Sequence, residues 1–137
     1  MENSPKIHIK IIRPDGLFYE KIASSIVFPD KDGQRAIFPQ HIPFVCALGI
    51  GIVKVSKSDN DFDFFYLEEG LLENKENQVI ILSYTIKKPS DFDKNILDKR
   101  LMELQASLPH DKNSCQEKLE EIKKIKLKKK LLEFFTA

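Results

Sequence analysis

The residues that could do chemistry are few and scattered. Three histidines, His8, His41 and His110, stand far apart, without the spacing that gathers ligands on a metal ion. No glycine-rich phosphate loop, nucleophile elbow or C-x-x-C pair occurs. Cys46 sits in an apolar run, where a cysteine usually packs as a small inert hydrophobe. Cys115 sits in a segment of different character, so no disulfide is expected and a reducing compartment fits. A small cupin-like enzyme would need a His/Glu metal cluster, and none is present. The expectation is a protein with no catalytic residue, no metal and no resident cofactor.

Two other segments stand out. Residues 123–130 read KKIKLKKK, with Lys123, Lys124, Lys126, Lys128, Lys129 and Lys130 in one stretch. They make either a solvated helix face, supported by Glu120 and Lys124 four apart, or a docking surface for an acidic partner. Against nucleic acid stands the overall balance of 22 basic and 21 acidic residues, a net charge of +1. The second segment, Gly33 to Pro43, packs a glycine, two prolines, His41 and large apolar residues into a short span. It reads as a strand, a proline-bent corner and the next strand, a place where contacts are made.

The elements that must position these residues fall into two halves. The chain has 137 residues, 42% hydrophobic and 31% charged, enough for one domain and an appendage. Its longest mostly apolar run, residues 43–53, is too short to cross a bilayer, and residues 1–12 hold no signal-type core. All five glycines lie in the first 70 residues. Residues 87–90, Lys-Lys-Pro-Ser, mark the boundary, because the residue before proline avoids helical angles. The domains expected are 1–88 and 89–137. The first has eleven basic and twelve acidic residues, the second eleven and nine.

In the first half Ile7, Ile9 and Ile11 alternate with His8, Lys10 and Ile12. Further short runs follow at 26–28, 37–38, 50–55, 62–67 and 79–82, separated by turn compositions at 30–33, 58–61 and 74–77. The pattern predicts an antiparallel β-sandwich or barrel. In the second half Ser90 and Asp93 resemble a capping box. Leu97, Leu101, Leu104 and Leu108 then line one helix face. Ser114 and Glu117 suggest a second box, opening a helix from Cys115 to about Phe135. That helix carries two apolar stripes, Leu119–Ile122–Ile125 and Leu127–Leu131–Phe134. The pair predicts an antiparallel helical hairpin whose second helix needs two neighbours.

At the Gly33–Pro43 segment the chain resembles the epsilon subunit of F-type ATP synthase. The family shows a stretch like G-x-x-G-I-x-P-x-H-x-P, met here by Gly33, Ile37, Pro39, His41 and Pro43, with Ala36 for the second glycine. An apolar stretch with Gly49 and Val53 follows. Residues 66–73, YLEEGLLE, look like the family's Y-L-S-G-G-x-L-E, with Glu68 and Glu69 for Ser-Gly. The resemblance covers essentially the whole chain. It implies about ten strands in an N-terminal β-sandwich followed by a C-terminal helical hairpin.

The resemblance implies a non-catalytic rotor part, peripheral on the cytoplasmic face of a bacterial inner membrane. Its sandwich would hold the gamma subunit and meet the polar loops of the membrane c-ring. Asp30, Asp32, Gln34, His41 and Cys46 fall in the matching contact region. Its hairpin would fold on the sandwich or extend toward the catalytic alpha/beta subunits and restrain ATP hydrolysis. The six lysines would then meet an acidic segment of beta. Some members bind ATP through I-D-x-x-R-A, and the matching Phe92–Leu97 keeps Asp93 but has Ile96 for the arginine. Without that guanidinium fork, Asp93 is left as the candidate ATP contact, and weak or no ATP binding is expected. The alternative is a stand-alone β-sandwich binding module whose basic helix grips an acidic or nucleic-acid partner.

Overall fold

The structure is a computed structural model that describes residues 5–106 and 112–136, with the backbone alone at 112–115 and 133–136. Leu108 and His110, and the side chains of Ser114, Cys115 and Phe134, lie outside the described residues. The chain divides into two compact units, Met1–Lys87 and Lys88–Ala137.

The first unit is built of nine strands: β1 (Ile7–Arg13), β2 (Gly16–Ala23), β3 (Ser25–Asp30), β4 (Gly33–Ile37), β5 (Phe44–Leu48), β6 (Gly51–Ser58), β7 (Asp61–Leu67), β8 (Gly70–Lys75) and β9 (Gln78–Leu82). They pair in the order β2-β1-β9-β8-β5-β3-β6-β7, with β4 added on β3. Between β5 and β3 only Asp30 and Leu48 are in register, so the sheet folds there into two layers. This is the expected sandwich, with nine strands among the described residues where about ten were expected. All pairings are antiparallel except β1 with β9, where His8 to Ile12 run beside Gln78 to Leu82.

The period of two decides which side chains face inward. Ile7, Ile9 and Ile11 are buried with Ile26 and Phe28 of β3, Val53 and Val55 of β6, and Val79 and Ile81 of β9. β2 escaped the sequence reading because only its last residue, Ala23, is fully buried. β8 escaped because its outward positions include Glu73 and Lys75 among turn-like residues. Phe38 and Ile50, expected within strands, lie just outside β4 and β6 and are exposed.

Turns follow their residues. Gly33 closes the β3–β4 turn at φ 140°, a conformation open to glycine, while Asp30 Oδ1 accepts the Asp32 N–H at 2.7 Å. Glu76 and Asn77 both take left-handed angles in a two-residue hairpin between Lys75 and Gln78. After β9 the backbone of Lys87 bonds Tyr66 in both directions, and Ile86 completes the core.

The two ends of the strand order are clasped by side chains. A bulge opposite Ile11 and Ile12 inserts Phe18 between the registered residues Leu17 and Tyr19, so both Phe18 and Tyr19 turn toward Phe65 of β7. Tyr19 OH donates to Asp63 Oδ2, and Lys57 Nζ lies 3.2 Å from Asp61 and from Asp63. Burial and the Asp63 carboxylate push the Tyr19 phenol well above the usual tyrosine range. A raised folded-state pKa stabilises the fold below the unfolded tyrosine value of about 10 and is lost as pH rises above it. Tyr19→Phe is therefore expected to cost about 1 kcal/mol at neutral pH and to flatten the alkaline loss of stability. Urea melts at pH 7 and pH 10.5 check this; equal alkaline loss in both proteins refutes it.

The second unit opens with a 3-10 turn at Pro89–Asp91, followed by α1 (Lys94–Ala106) and α2 (Lys112–Thr136). The expected capping box is displaced. Pro89 starts the tight turn, where the Asp91 carboxylate accepts the Lys88 N–H, and Asp93 itself caps α1. Its Oδ1 accepts N–H groups of Asn95 at 2.8 Å and Ile96 at 3.4 Å. α2 starts at Lys112, so Ser114 lies inside its first turn and does not begin it.

The helices form an antiparallel hairpin around Leu97, Leu104, Ile122 and Ile125, with Phe92, Leu101 and Leu132 at the margin. Arg100 Nε donates to Glu121 Oε1 at 2.9 Å, and Lys129 pairs with Asp98. The Arg100 guanidinium holds the Glu121 carboxyl below its usual range. Of the first expected stripe, Leu119 is half exposed. Of the second, Leu131 is buried and Leu127 partly so. No helix among the described residues is long and apolar enough to cross a membrane.

Candidate docking surfaces

The Gly33–Pro43 segment becomes β4 and a corner. The Asp30–Gly33 turn and His41 lie at opposite ends of β4, so sequence proximity does not make them one loop. Arg35, which the sequence reading passed over, links them. Its Nε is 3.6 Å from Asp30 Oδ2, and its guanidinium stacks 4.9 Å from the Phe44 ring. The His41 ring also meets Phe44, edge-on at 5.1 Å. Only the cross-strand register of β3, β4 and β5 could have disclosed this chain of contacts.

The corner is latched rather than loose. Asn77 Oδ1 accepts the N–H of Gln40 at 2.6 Å, with Gln40 at φ 66°. Asn74, itself buried, donates from Nδ2 to Ile42 O at 3.2 Å. His41 Nδ1 is 2.9 Å from Ile42 O. With the backbone so held, Phe38 and Ile42 project outward at 60% and 75% exposure. Large apolar side chains on a fixed loop are suited to a protein partner.

Asp32 and Gln34 are exposed beside this cluster. Cys46 lies on the same inward face of β5 as Phe44. It packs against the core between exposed Val45 and Ala47, and burial pushes its thiol up, with Asp30 adding and Arg35 opposing. Asp93 spends its carboxylate on the helix cap, and Ile96 beside it is 67% exposed.

A second surface lies on the outer face of the β2-β1-β9-β8-β5 layer. Register places Ala47 opposite Leu71, Leu71 opposite Leu82, and Leu82 beside Ile12. These outward residues line an open groove of about 670 Å³, with Tyr84 80% exposed at its side. Sequence reading missed it, because each strand contributes only one or two residues to the row.

The lysines of α2 divide by face. Lys129 is spent on Asp98, and Lys128 stands 5.5 Å from the Phe92 ring. Lys124 is partly buried and, with Lys128, lowers the Glu121 carboxyl slightly further. Lys123, Lys126 and Lys130 are exposed, three and four residues apart on one side. No group of three or more His, Cys, Asp or Glu side chains suited to a metal occurs among the described residues.

None of these surfaces gathers a nucleophile, a base and an anion hole. They lie on a sandwich followed by a hairpin. Residues 6–89 match the family described as ATP synthase, Delta/Epsilon chain, beta-sandwich domain. The chain belongs to this family. An ATP synthase epsilon chain of Leptospira interrogans is 30% identical over 106 residues, 77% of this chain and 83% of that one. The chloroplastic ATP synthase epsilon chain of Pyropia yezoensis is 30% identical over 131 residues, 96% of each chain. This epsilon-type chain also shares its fold with solved structures. A chain in the Euglena gracilis mitochondrial ATP synthase structure, OSCP/F1/c-ring, superposes with TM-score 0.76 at 20% identity, covering 98% of this chain and 83% of that chain. One from the central stalk/c-ring structure of the Tetrahymena thermophila mitochondrial enzyme gives 0.61 at 13%, covering 94% and 98%.

Proposed function

We propose that the chain is the non-catalytic epsilon subunit of a proton-translocating F-type ATP synthase, a central-stalk part that couples gamma to the c-ring. The observation that carries this is the rigid sandwich with large apolar side chains exposed on two separate surfaces. One is the corner with Phe38, His41 and Ile42; the other is the outer row with Leu71, Leu82 and Tyr84. An adapter between two partners needs such a pair of faces. The Asp30–Gln34 turn and the His41 corner are offered to the c-ring loops and gamma. The outer row is offered to gamma. Cys46 acts indirectly, by seating the strand that presents Val45 and Ala47. The hairpin reaches toward alpha/beta, with Lys123, Lys126 and Lys130 as its docking set. With Asp93 capping a helix and Ile96 in place of the arginine, weak or no ATP binding by this hairpin is expected. The chain works peripherally, on the cytoplasmic face of a bacterial inner membrane.

Co-expression with the gamma subunit and c-ring of its own enzyme is the test. The wild-type chain is expected to co-purify with both and to bind no nucleic acid. A folded Phe38→Asp, Ile42→Asp variant should occupy the rotor about tenfold less. A wild-type chain that joins neither partner, or that instead retains nucleic acid in a salt-sensitive way, overturns the reading.

A further inference from the structure

We infer that Glu69 is the charge that selects the partner seated on the outer groove, and that this partner brings an apolar segment carrying a Lys or Arg to meet it. The inference rests on the rotor-subunit reading above and deepens it.

The groove floor is apolar and continuous, as Ala47, Leu71, Leu82 and Ile12 stand side by side across four strands. Gly70 belongs to it because a Cβ there would meet Leu82 O at 2.8 Å. Two charged side chains border the groove, Arg13 and Glu69. Arg13 is neutralised within the chain. Its guanidinium lies 3.3 Å from Asp15 Oδ2 and stacks 4.5 Å from the Phe18 ring.

Glu69 is arranged differently. Its backbone is fixed on both sides: the N–H donates to Thr85 Oγ1 at 3.0 Å, and the carbonyl accepts from Ser83 Oγ at 2.6 Å. Its carboxylate is exposed, and among the described residues no side-chain cation pairs with it. The neighbouring Glu68 instead accepts the Tyr66 hydroxyl at 3.1 Å.

A partner covering the groove takes water from this carboxylate. A purely apolar or acidic surface would leave the charge unpaired, an expensive arrangement. A cation on the partner converts the same burial into orientation, because the Glu69 backbone is already held. Anionic lipid and nucleic acid are disfavoured by the same charge.

The test measures binding of the full chain to the gamma subunit of its own enzyme, by calorimetry at low and physiological salt. Wild type is expected to bind. Glu69→Lys should bind about tenfold more weakly or worse, and Glu69→Gln less weakly but with a smaller salt dependence. Leu82→Gln, half exposed and so tolerant of the change, should also weaken binding, while Glu68→Gln should not. If Glu69→Lys binds as tightly as wild type while Leu82→Gln fails, the groove docks gamma and the charge does not select it. If both bind normally, the groove is not the docking surface. If wild type self-associates through Leu82, a second copy is the occupant and the inference falls. Failure of wild type to bind gamma at all would overturn the rotor-subunit reading, and this inference with it.

Discussion

Residues 1–87 produced alone are expected to melt in one cooperative transition, and residues 88–137 alone to show no cooperative melt. The first unit buries sixteen residues in one cluster, from Ile7 to Ile86, and ends where Lys87 pairs with Tyr66. The second buries four in its cluster, Leu97, Leu104, Ile122 and Ile125. Burying a Leu or Ile side chain contributes about 1.5–3 kcal/mol, and ordering each residue costs about 1–2. With Leu131 these are the buried leucines and isoleucines among the described residues of a fifty-residue unit, too few to offset that ordering cost, and exposed ion pairs such as Arg100 with Glu121 add little. Circular dichroism melts of both fragments decide it. A sharp transition from the isolated hairpin would show that its helices are self-sufficient.

Removing residues 89–137 from the assembled enzyme is expected to raise ATP hydrolysis while leaving the rotor intact. The hairpin is read as a brake whose engaged position is strengthened by charge. In that position the exposed Lys123, Lys126 and Lys130 are proposed to present their ammonium groups to an acidic segment of beta. Each exposed pair contributes about 0.2–1 kcal/mol, so three together shift the engaged population roughly threefold to a hundredfold at low salt. Changing all three to Gln should reproduce much of the truncation, with the effect fading at high salt. Lys129→Gln should behave otherwise, because Lys129 holds Asp98 inside the hairpin. It should loosen the hairpin itself, seen as lower helicity of the intact chain. If neither the truncation nor the triple variant changes hydrolysis, the hairpin is a passive appendage and the chain only a clamp.

Part of the candidate site was legible in the residues and part was not. The odd composition of Gly33–Pro43 marked a corner, and a corner with exposed Phe38 and Ile42 is there. Arg35 was invisible, since its partners Asp30 and Phe44 lie five and nine positions away along the chain and meet it only across strands. The lysine run was obvious as composition. Its division into intrahairpin and outward lysines depends on where α1 lies against α2, which no window of α2 contains. Asp93 was placed one turn too far into its helix because Pro89 begins a 3-10 turn rather than the helix itself.

By itself the sequence determined the two-part plan, the inward isoleucines of β1, the punctuating glycines and the motifs that mark the family. These are local properties: strand alternation, turn chemistry and proline geometry act within a few residues. Tertiary structure alone decided that β1 runs parallel to β9, that Tyr19 clasps Asp63 across the open seam, and that Cys46 faces inward while its neighbours face out. It also placed Glu69 beside Leu71, Leu82 and Ile12. Strand register is the reason. A shift of one residue would turn every side chain to the opposite face, and the partner strands that prevent it come from distant parts of the chain.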